Sequence, residues 1–71
     1  MTKHPSVAAL LRHFTAEHLP PDLRAVSQPI CDLAHQLAEQ LPADPETTTA
    51  LRKLLEAKDC AVRAVVAARG V

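Results

Sequence analysis

Aromatic side chains are almost absent from this sequence, which has one phenylalanine, no tyrosine and no tryptophan in 71 residues. A core of leucine, valine and alanine has little bulk, and a chain of this length buries only about 60% of its surface on folding. The apolar content of 48% is nevertheless too high for a disordered chain. We therefore expect a single domain over residues 1–71 that is stabilised by assembly into a homo-oligomer.

Cysteine is scarce as well. Cys31 and Cys60 form neither a C-x-x-C motif nor a set with histidine at metal-ligand spacing. In a helical hairpin that turns near residues 42–45 they would lie about one turn out of register, beyond the reach of a disulfide. We interpret both as small apolar residues of a reducing compartment. The sequence predicts no metal site, no cofactor and no catalytic residue, and hence a protein that is not an enzyme.

Long apolar runs and an excess of one charge are also missing. The beginning of the chain has a short apolar stretch interrupted by Arg12 and His13, which is typical of neither a signal peptide nor a membrane span. The net charge is zero, whereas proteins that bind duplex nucleic acid usually present a strongly basic surface. These features favour a cytoplasmic protein that binds neither membranes nor duplex nucleic acid.

Apolar residues recur with the helical period, and no segment alternates as a strand would. The sequence predicts an all-α fold in which a short N-terminal helix precedes a long antiparallel helical hairpin. The expected helices cover about 6–15, 22–41 and 45–68.

The predicted helix caps are Ser6, Asp22 and Asp44, and Gly70 is the predicted stop after the last helix. Pro29 interrupts the second helix. We expect a separate first turn there, with Ser27 capping the main helix; the alternative is one continuous helix kinked at the proline.

Apolar stripes assign the faces of the two long helices. The second helix is expected to pack through Ile30, Leu33, Ala34, Leu37 and Leu41. The third is expected to pack through Leu51, Leu54, Leu55, Ala61, Val62 and Val65, with a flatter second stripe of Ala50, Ala57 and Ala64. The acidic stretch 32–46 and the basic part from 47 onward should attract each other, and Asp59 and Arg63 are spaced for a surface ion pair.

A few side chains have two interpretations. Lys58 falls within an apolar stripe, either as a lysine whose stem covers apolar surface or as a cation at a subunit junction that meets a phosphate. Phe14 is either a core residue or, beside a proline-rich loop and basic residues, an aromatic that stacks on a base. We interpret His13, His18 and His35 first as surface or capping groups.

The run from Phe14 to Pro42, followed by Pro45 to Ala64, resembles the small phage proteins of the anti-CBASS cyclic-nucleotide sponge family. Their hairpin domain is shared with phage anti-Thoeris proteins. The similarity lies in a helix ending in Leu-Pro, a short acidic turn, and then Ala-Leu-x-Lys-Leu-x-Glu-Ala, which here begins at Ala50. It covers roughly residues 14–68.

The resemblance implies a homo-oligomer, typically a hexamer, in the cytoplasm of an infected host. It would bind cyclic di- and trinucleotide messengers between subunits without cleaving them, which is a form of immune evasion. The family pattern has a tyrosine near the proline-rich loop and often a tryptophan in the last helix; Phe14 or His18 could replace the first, and Cys60 occupies the place of the second. The ligand-binding residues expected on this basis are Phe14, His18, Arg24, Ser27, Lys53, Lys58 and Arg63.

Two other functions remain open at this point. A helical-hairpin oligomer that acts as a protein-interaction module would have the same apolar stripes, with its basic residues solvated or paired to Glu56 and Asp59. A small DNA-binding regulator fits less well, because the net charge is zero and the sequence has no glycine-containing helix-turn-helix corner.

Overall fold

The computed structural model describes residues 5–69, which form three helices and no strand: α1 over Pro5–Leu11, α2 over Pro21–Gln40 and α3 over Pro45–Ala68. The most extensive contact is between α2 and α3, and α1 packs mainly on α3. The two long helices run antiparallel, since Arg69 after the end of α3 reaches Asp22 at the beginning of α2. The predicted all-α class is confirmed. None of the helices over 5–69 is both long and apolar enough to cross a bilayer.

The bounds of α3 agree with the prediction, because its local signals are strong. Asp44 is extended, and its Oδ1 accepts a hydrogen bond from the Glu46 N–H at 2.8 Å. Pro45 occupies the first position, where the missing N–H costs nothing. The predicted stop at Gly70 lies outside the described residues.

Helix α1 is shorter than predicted, since it ends at Leu11 rather than near residue 15. The N–H groups of His13 and Phe14 turn back onto the carbonyls of Leu10 and Leu11, both at 3.0 Å. This tight turn directs the Phe14 ring into the core, where burial of a large side chain outweighs continuation of a short helix.

Ser6 lies inside α1 and is therefore not its cap, contrary to the prediction. Its hydroxyl is hydrogen-bonded to the hydroxyl of Thr48 at 3.1 Å. The side chain thus joins α1 to α3.

Helix α2 is continuous through Pro29, so the predicted separate turn and the Ser27 cap are both wrong. A proline removes the bond to the carbonyl four residues earlier, here that of Ala25. Ala25 and Pro29 are both exposed, which lets water satisfy that carbonyl on the solvent side of the helix. The prediction that Asp22 caps α2 is also wrong, because Asp22 lies in the first turn of the helix. The N-cap position is occupied by Pro20, whose side chain cannot accept a hydrogen bond.

The core contains apolar side chains from all three helices and from the segment between α1 and α2. Its buried members are Val7, Phe14, Ala16, Cys31, Ala34 and Leu51. Phe14 and Ala16 both come from residues 12–20, which we call the strap. The strap therefore contributes two side chains to the core, while most of its other residues are exposed.

Part of the predicted face of α2 is wrong, because Leu33 and Leu41 are 41% and 38% exposed. The neighbouring elements cover only the narrower side that includes Ala34, with Ile30 and Leu37 partly buried. The predicted stripe of α3 is fully buried at Leu51 and half-buried at Leu54, Leu55, Ala61, Val62 and Val65. Ala57 and Ala64 are exposed and Ala50 is half-buried.

Candidate functional site

A groove lies between the strap and the middle of α3. It has a volume of about 240 Å³ and is lined by His18, Leu19, Lys58, Asp59, Val62 and Arg63. Three of the seven predicted ligand-binding residues, His18, Lys58 and Arg63, therefore come together. We call this cavity the His18 groove.

Lys58 is held by contacts to the strap. Its ammonium donates a hydrogen bond to the backbone carbonyl of His13, and its Nζ lies 6.0 Å from the centroid of the Phe14 ring, at the outer limit of a cation–π contact. The stem is half-buried, as expected for a lysine that covers apolar surface. An ammonium has three donors, so the bond to His13 leaves capacity for an anion in the groove.

Arg63 provides the second cation of the groove. Its Nη2 donates to the Sγ of Cys60 at 3.4 Å, one turn earlier on α3. The predicted ion pair between Asp59 and Arg63 is wrong: within residues 5–69 these two side chains do not form one, and Asp59 lines the groove instead. With two cations and one carboxylate, the groove has a net positive charge.

Two predicted site residues are too deeply buried to contact a ligand. Phe14 is 1% exposed, which confirms the core interpretation of the ring. Ser27 is 0% exposed, and its Oγ has no hydrogen-bond partner among the described atoms.

Arg24 and Lys53 are exposed but do not line the His18 groove. The Nη2 of Arg24 donates to the backbone carbonyls of Glu17 at 3.3 Å and Leu19 at 3.0 Å. Arg24 thus holds the strap in place behind the groove.

His35 has a role that the sequence did not reveal. Its Nε2 lies 3.2 Å from the carbonyl oxygen of Phe14, which can only accept, so the proton of this bond is on Nε2. The two residues are 21 positions apart, and no local pattern indicates the contact.

A larger cavity of about 430 Å³ lies at the beginning of α3, near Arg52. Most of its polar side chains already have partners within the chain. Asp44 caps Glu46, Ser6 pairs with Thr48, and the Thr49 hydroxyl donates to Pro45 O at 3.1 Å. The two cations of the His18 groove, Lys58 and Arg63, have donors left for a further partner. The His18 groove is therefore the better anion site.

The cysteines differ in environment, and both are free. Cys31 is buried in the core, and this burial raises the pKa of its thiol. Cys60 is exposed on α3. Among residues 5–69, histidine, cysteine and carboxylate side chains nowhere form a group of three or more that could hold a metal ion.

Comparison with known proteins gives no match: no family model fits the chain, and no curated protein or solved structure is detectably similar to it. What the His18 groove can bind therefore follows from its own side chains.

Proposed function

We propose that this chain is a phage anti-defence protein that binds cyclic di- or trinucleotide second messengers and sequesters them without cleavage. The observation that carries the proposal is the meeting of His18, Lys58 and Arg63 in one groove. These residues come from the strap and from α3, which are separated by the whole of α2 in the sequence. The choice of cyclic nucleotides among possible anionic ligands is an expectation from the sequence resemblance, which no comparison with known proteins tests.

The lining side chains are complementary to a nucleotide. Arg63 and Lys58 can pair with the oxygens of a phosphodiester, the first through a planar fork and the second through a point charge. Leu19 and Val62 provide apolar walls, and the imidazole of His18 can stack on a base. The Asp59 carboxylate repels phosphate but can accept from an amino group of a base, which orients the ligand.

The proposed activity is sequestration without hydrolysis. Sequestration requires only groups that hold the ligand, and no group that activates a nucleophile. The groove offers cations and an imidazole, which suffice to bind an anion without transforming it.

The size of the groove supports a site shared between subunits. Its volume of about 240 Å³ is below the roughly 300–1,000 Å³ typical of complete small-molecule sites. Leu33, Leu41 and Val66 are exposed large apolar residues that contact with another copy could cover. We therefore propose that the protein is a homo-oligomer. A hexamer is the state that the resemblance to the sponge family implies.

Isothermal titration with a panel of cyclic di- and trinucleotides, followed by recovery of the ligand after denaturation, tests the proposal directly. We expect tight binding of at least one member, recovery of the ligand intact, and an oligomeric mass by light scattering. No binding by the folded protein to any member, or recovery of a cleaved product, would overturn it.

A matched pair of variants locates the site. Arg63→Glu places a carboxylate in the His18 groove and should weaken binding by about 100-fold, as expected for replacing a charged contact to phosphate. Arg52→Glu makes the same charge change on α3 beside the larger cavity and should leave the affinity within about threefold. The reverse pattern would place the ligand in the larger cavity and contradict the His18 groove as the site.

The second candidate is a helical-hairpin oligomer that acts as a protein-interaction module. The exposed side chains of Leu33, Leu41 and Val66 favour it. Its function would be insensitive to Arg63→Glu and would be lost on replacing Leu33 by a charged residue. A folded oligomer that binds no cyclic nucleotide would favour this candidate.

A further inference from the structure

We propose that the strap, residues 12–20, opens as a unit from the helical hairpin and that a ligand in the His18 groove closes it. The opening part of this proposal stands on the hydrogen bonds and burial of the strap alone. The closing part rests on the proposed function, because it requires a ligand that contacts the groove.

Three side chains from the long helices hold the strap by its backbone carbonyls. Lys58 donates to His13 and His35 to Phe14, while Arg24 donates to both Glu17 and Leu19. The strap's own backbone bonds are short-range turns, such as Leu19 N–H to Ala16 O at 3.1 Å. The polar attachment of the strap therefore comes from side chains of α2 and α3, which we call the clasp: Arg24, His35 and Lys58. Burial of Phe14 and Ala16 adds an apolar attachment.

The clasp is on or near the surface, whereas the side chains beneath it are buried. Arg24 and His35 are exposed and Lys58 is half-buried. Phe14 and Ala16 lie in the same buried cluster as Cys31 of α2. Opening costs the solvated bonds of the clasp and the burial of Phe14 and Ala16. It still costs less than global unfolding, because the contact between α2 and α3, the most extensive in the fold, stays formed. Release of the clasp would lift Phe14 and Ala16 and so uncover the Cys31 thiol beside them.

The His18 groove exists only while the strap is closed. One wall, His18 and Leu19, belongs to the strap, and the other, Lys58 and Arg63 among others, belongs to α3. A ligand that contacts both walls binds the closed state alone and shifts the population towards it. Weakening the clasp should in turn lower the apparent affinity by reducing the fraction of competent molecules.

Cys31 is a built-in reporter of strap opening. In a Cys60→Ser background, the remaining thiol reacts with N-ethylmaleimide only when its cover is removed. We expect Cys31 to be modified faster than global unfolding permits, at a rate that hardly changes at low urea concentrations. A modification rate that follows global unfolding, with the same dependence on urea, would overturn the proposal.

Variants of the clasp test whether its hydrogen bonds hold the strap closed. Arg24→Met removes the two donors to the strap but keeps the apolar stem, and should accelerate Cys31 modification by about tenfold, the effect of losing about 1.4 kcal/mol of hydrogen bonding. Arg52→Met, the same change on α3 away from the strap, should leave the rate within about twofold. Equal rates in the two variants would contradict a clasp that includes Arg24.

Measuring Cys31 modification with a cyclic nucleotide present distinguishes this inference from the proposed function. The cyclic nucleotide that binds most tightly in the calorimetric panel should slow Cys31 modification in the Cys60→Ser protein, and His18→Ala should reduce that protection. Binding without slower modification would overturn the coupling while leaving the proposed function intact. If no cyclic nucleotide binds, the proposed function and the closing step fail together, and the rate measurements without ligand still decide whether the strap opens.

Discussion

The guanidinium of Arg69 forms a bidentate salt bridge with the carboxylate of Asp22. Arg69 Nε donates to Asp22 Oδ2 at 2.9 Å, and Nη2 donates to Oδ1 at 2.7 Å. The contact joins the end of α3 to the beginning of α2 and fixes the hairpin at the end opposite its turn. The hydrogen bonds and charge of Arg69 lower the pKa of Asp22, and the same contact raises the pKa of Arg69.

Replacing Asp22 by asparagine should lower the thermal stability by a small amount that depends on pH and salt. Because the folded pKa of this carboxyl is below its ordinary value of 3.8, the contribution is fully present above that pH. It is lost as the pH falls through the lowered pKa. Thermal melts of both proteins from pH 7 to pH 2 should converge at the acidic end. High salt should also reduce the difference.

Arg69→Gln is the matched control, since it removes the same ion pair and leaves the negative charge near the first turn of α2. The double variant should be about as stable as the less stable single variant, because both changes break one interaction. Fully additive effects would show that the two residues act separately.

Leu51→Ala should be severely destabilising. Leu51 is fully buried on α3, and truncation of a buried leucine costs about 2–5 kcal/mol. A chain of this length has a total stability of roughly 4–11 kcal/mol. Urea denaturation at fixed protein concentration should therefore show about half of the stability lost. Val66→Ala, on the exposed side of the same helix, should change it by less than about 1 kcal/mol. Similar losses in both variants would mean that Val66 is covered in the assembled protein.

Two buried hydroxyls should respond oppositely to removal. The Oγ of Ser27 has no partner in the described structure, and a buried unsatisfied polar group costs about 1–3 kcal/mol. Ser27→Ala should therefore raise the free energy of unfolding. The Thr47 hydroxyl donates to Pro42 O at 2.7 Å, so Thr47→Val should lower it, because the carbonyl loses its donor. Chemical denaturation measures both, and destabilisation by Ser27→Ala would indicate a hydrogen-bond partner such as a bound water.

Pro29→Ala should stabilise α2. Proline in a helix interior costs about 3 kcal/mol relative to alanine, and the alanine N–H could again bond to the Ala25 carbonyl. Because water already satisfies the exposed Ala25 carbonyl, only part of that difference is regained, and we expect an increase of about 1–2 kcal/mol in unfolding free energy. Pro21→Ala, at the first position of the same helix, should give no gain. A loss of stability in Pro29→Ala would show that packing in the folded state requires the proline at this position.

Local signals predicted both ends of α3 correctly. Asp44, Pro45 and Glu46 act within one turn, so their effect needs no distant partner. The same reasoning failed at Ser27, since its local capping preference competes with burial against the rest of the protein. It also failed at residues 12–15, where tertiary burial of Phe14 ended α1 early.

The candidate site was predicted in part. The sequence analysis selected Lys58 as a charge in an apolar stripe, and the resemblance added His18 and Arg63 to the expected ligand-binding residues; the groove contains all three. It could not place Arg24 and His35 as holders of the strap, because a donor to a distant backbone carbonyl has no sequence pattern.

By itself the sequence determined the helical class, the three helices and the place of the turn, because helical periodicity and capping are properties of neighbouring residues. The tertiary structure alone decided which side of each helix is covered, where the strap lies, and that His18 meets Lys58 and Arg63. Those outcomes depend on competition for a small core among residues far apart in the chain. A single large ring, Phe14, draws the strap over α2 and α3 and so creates the groove.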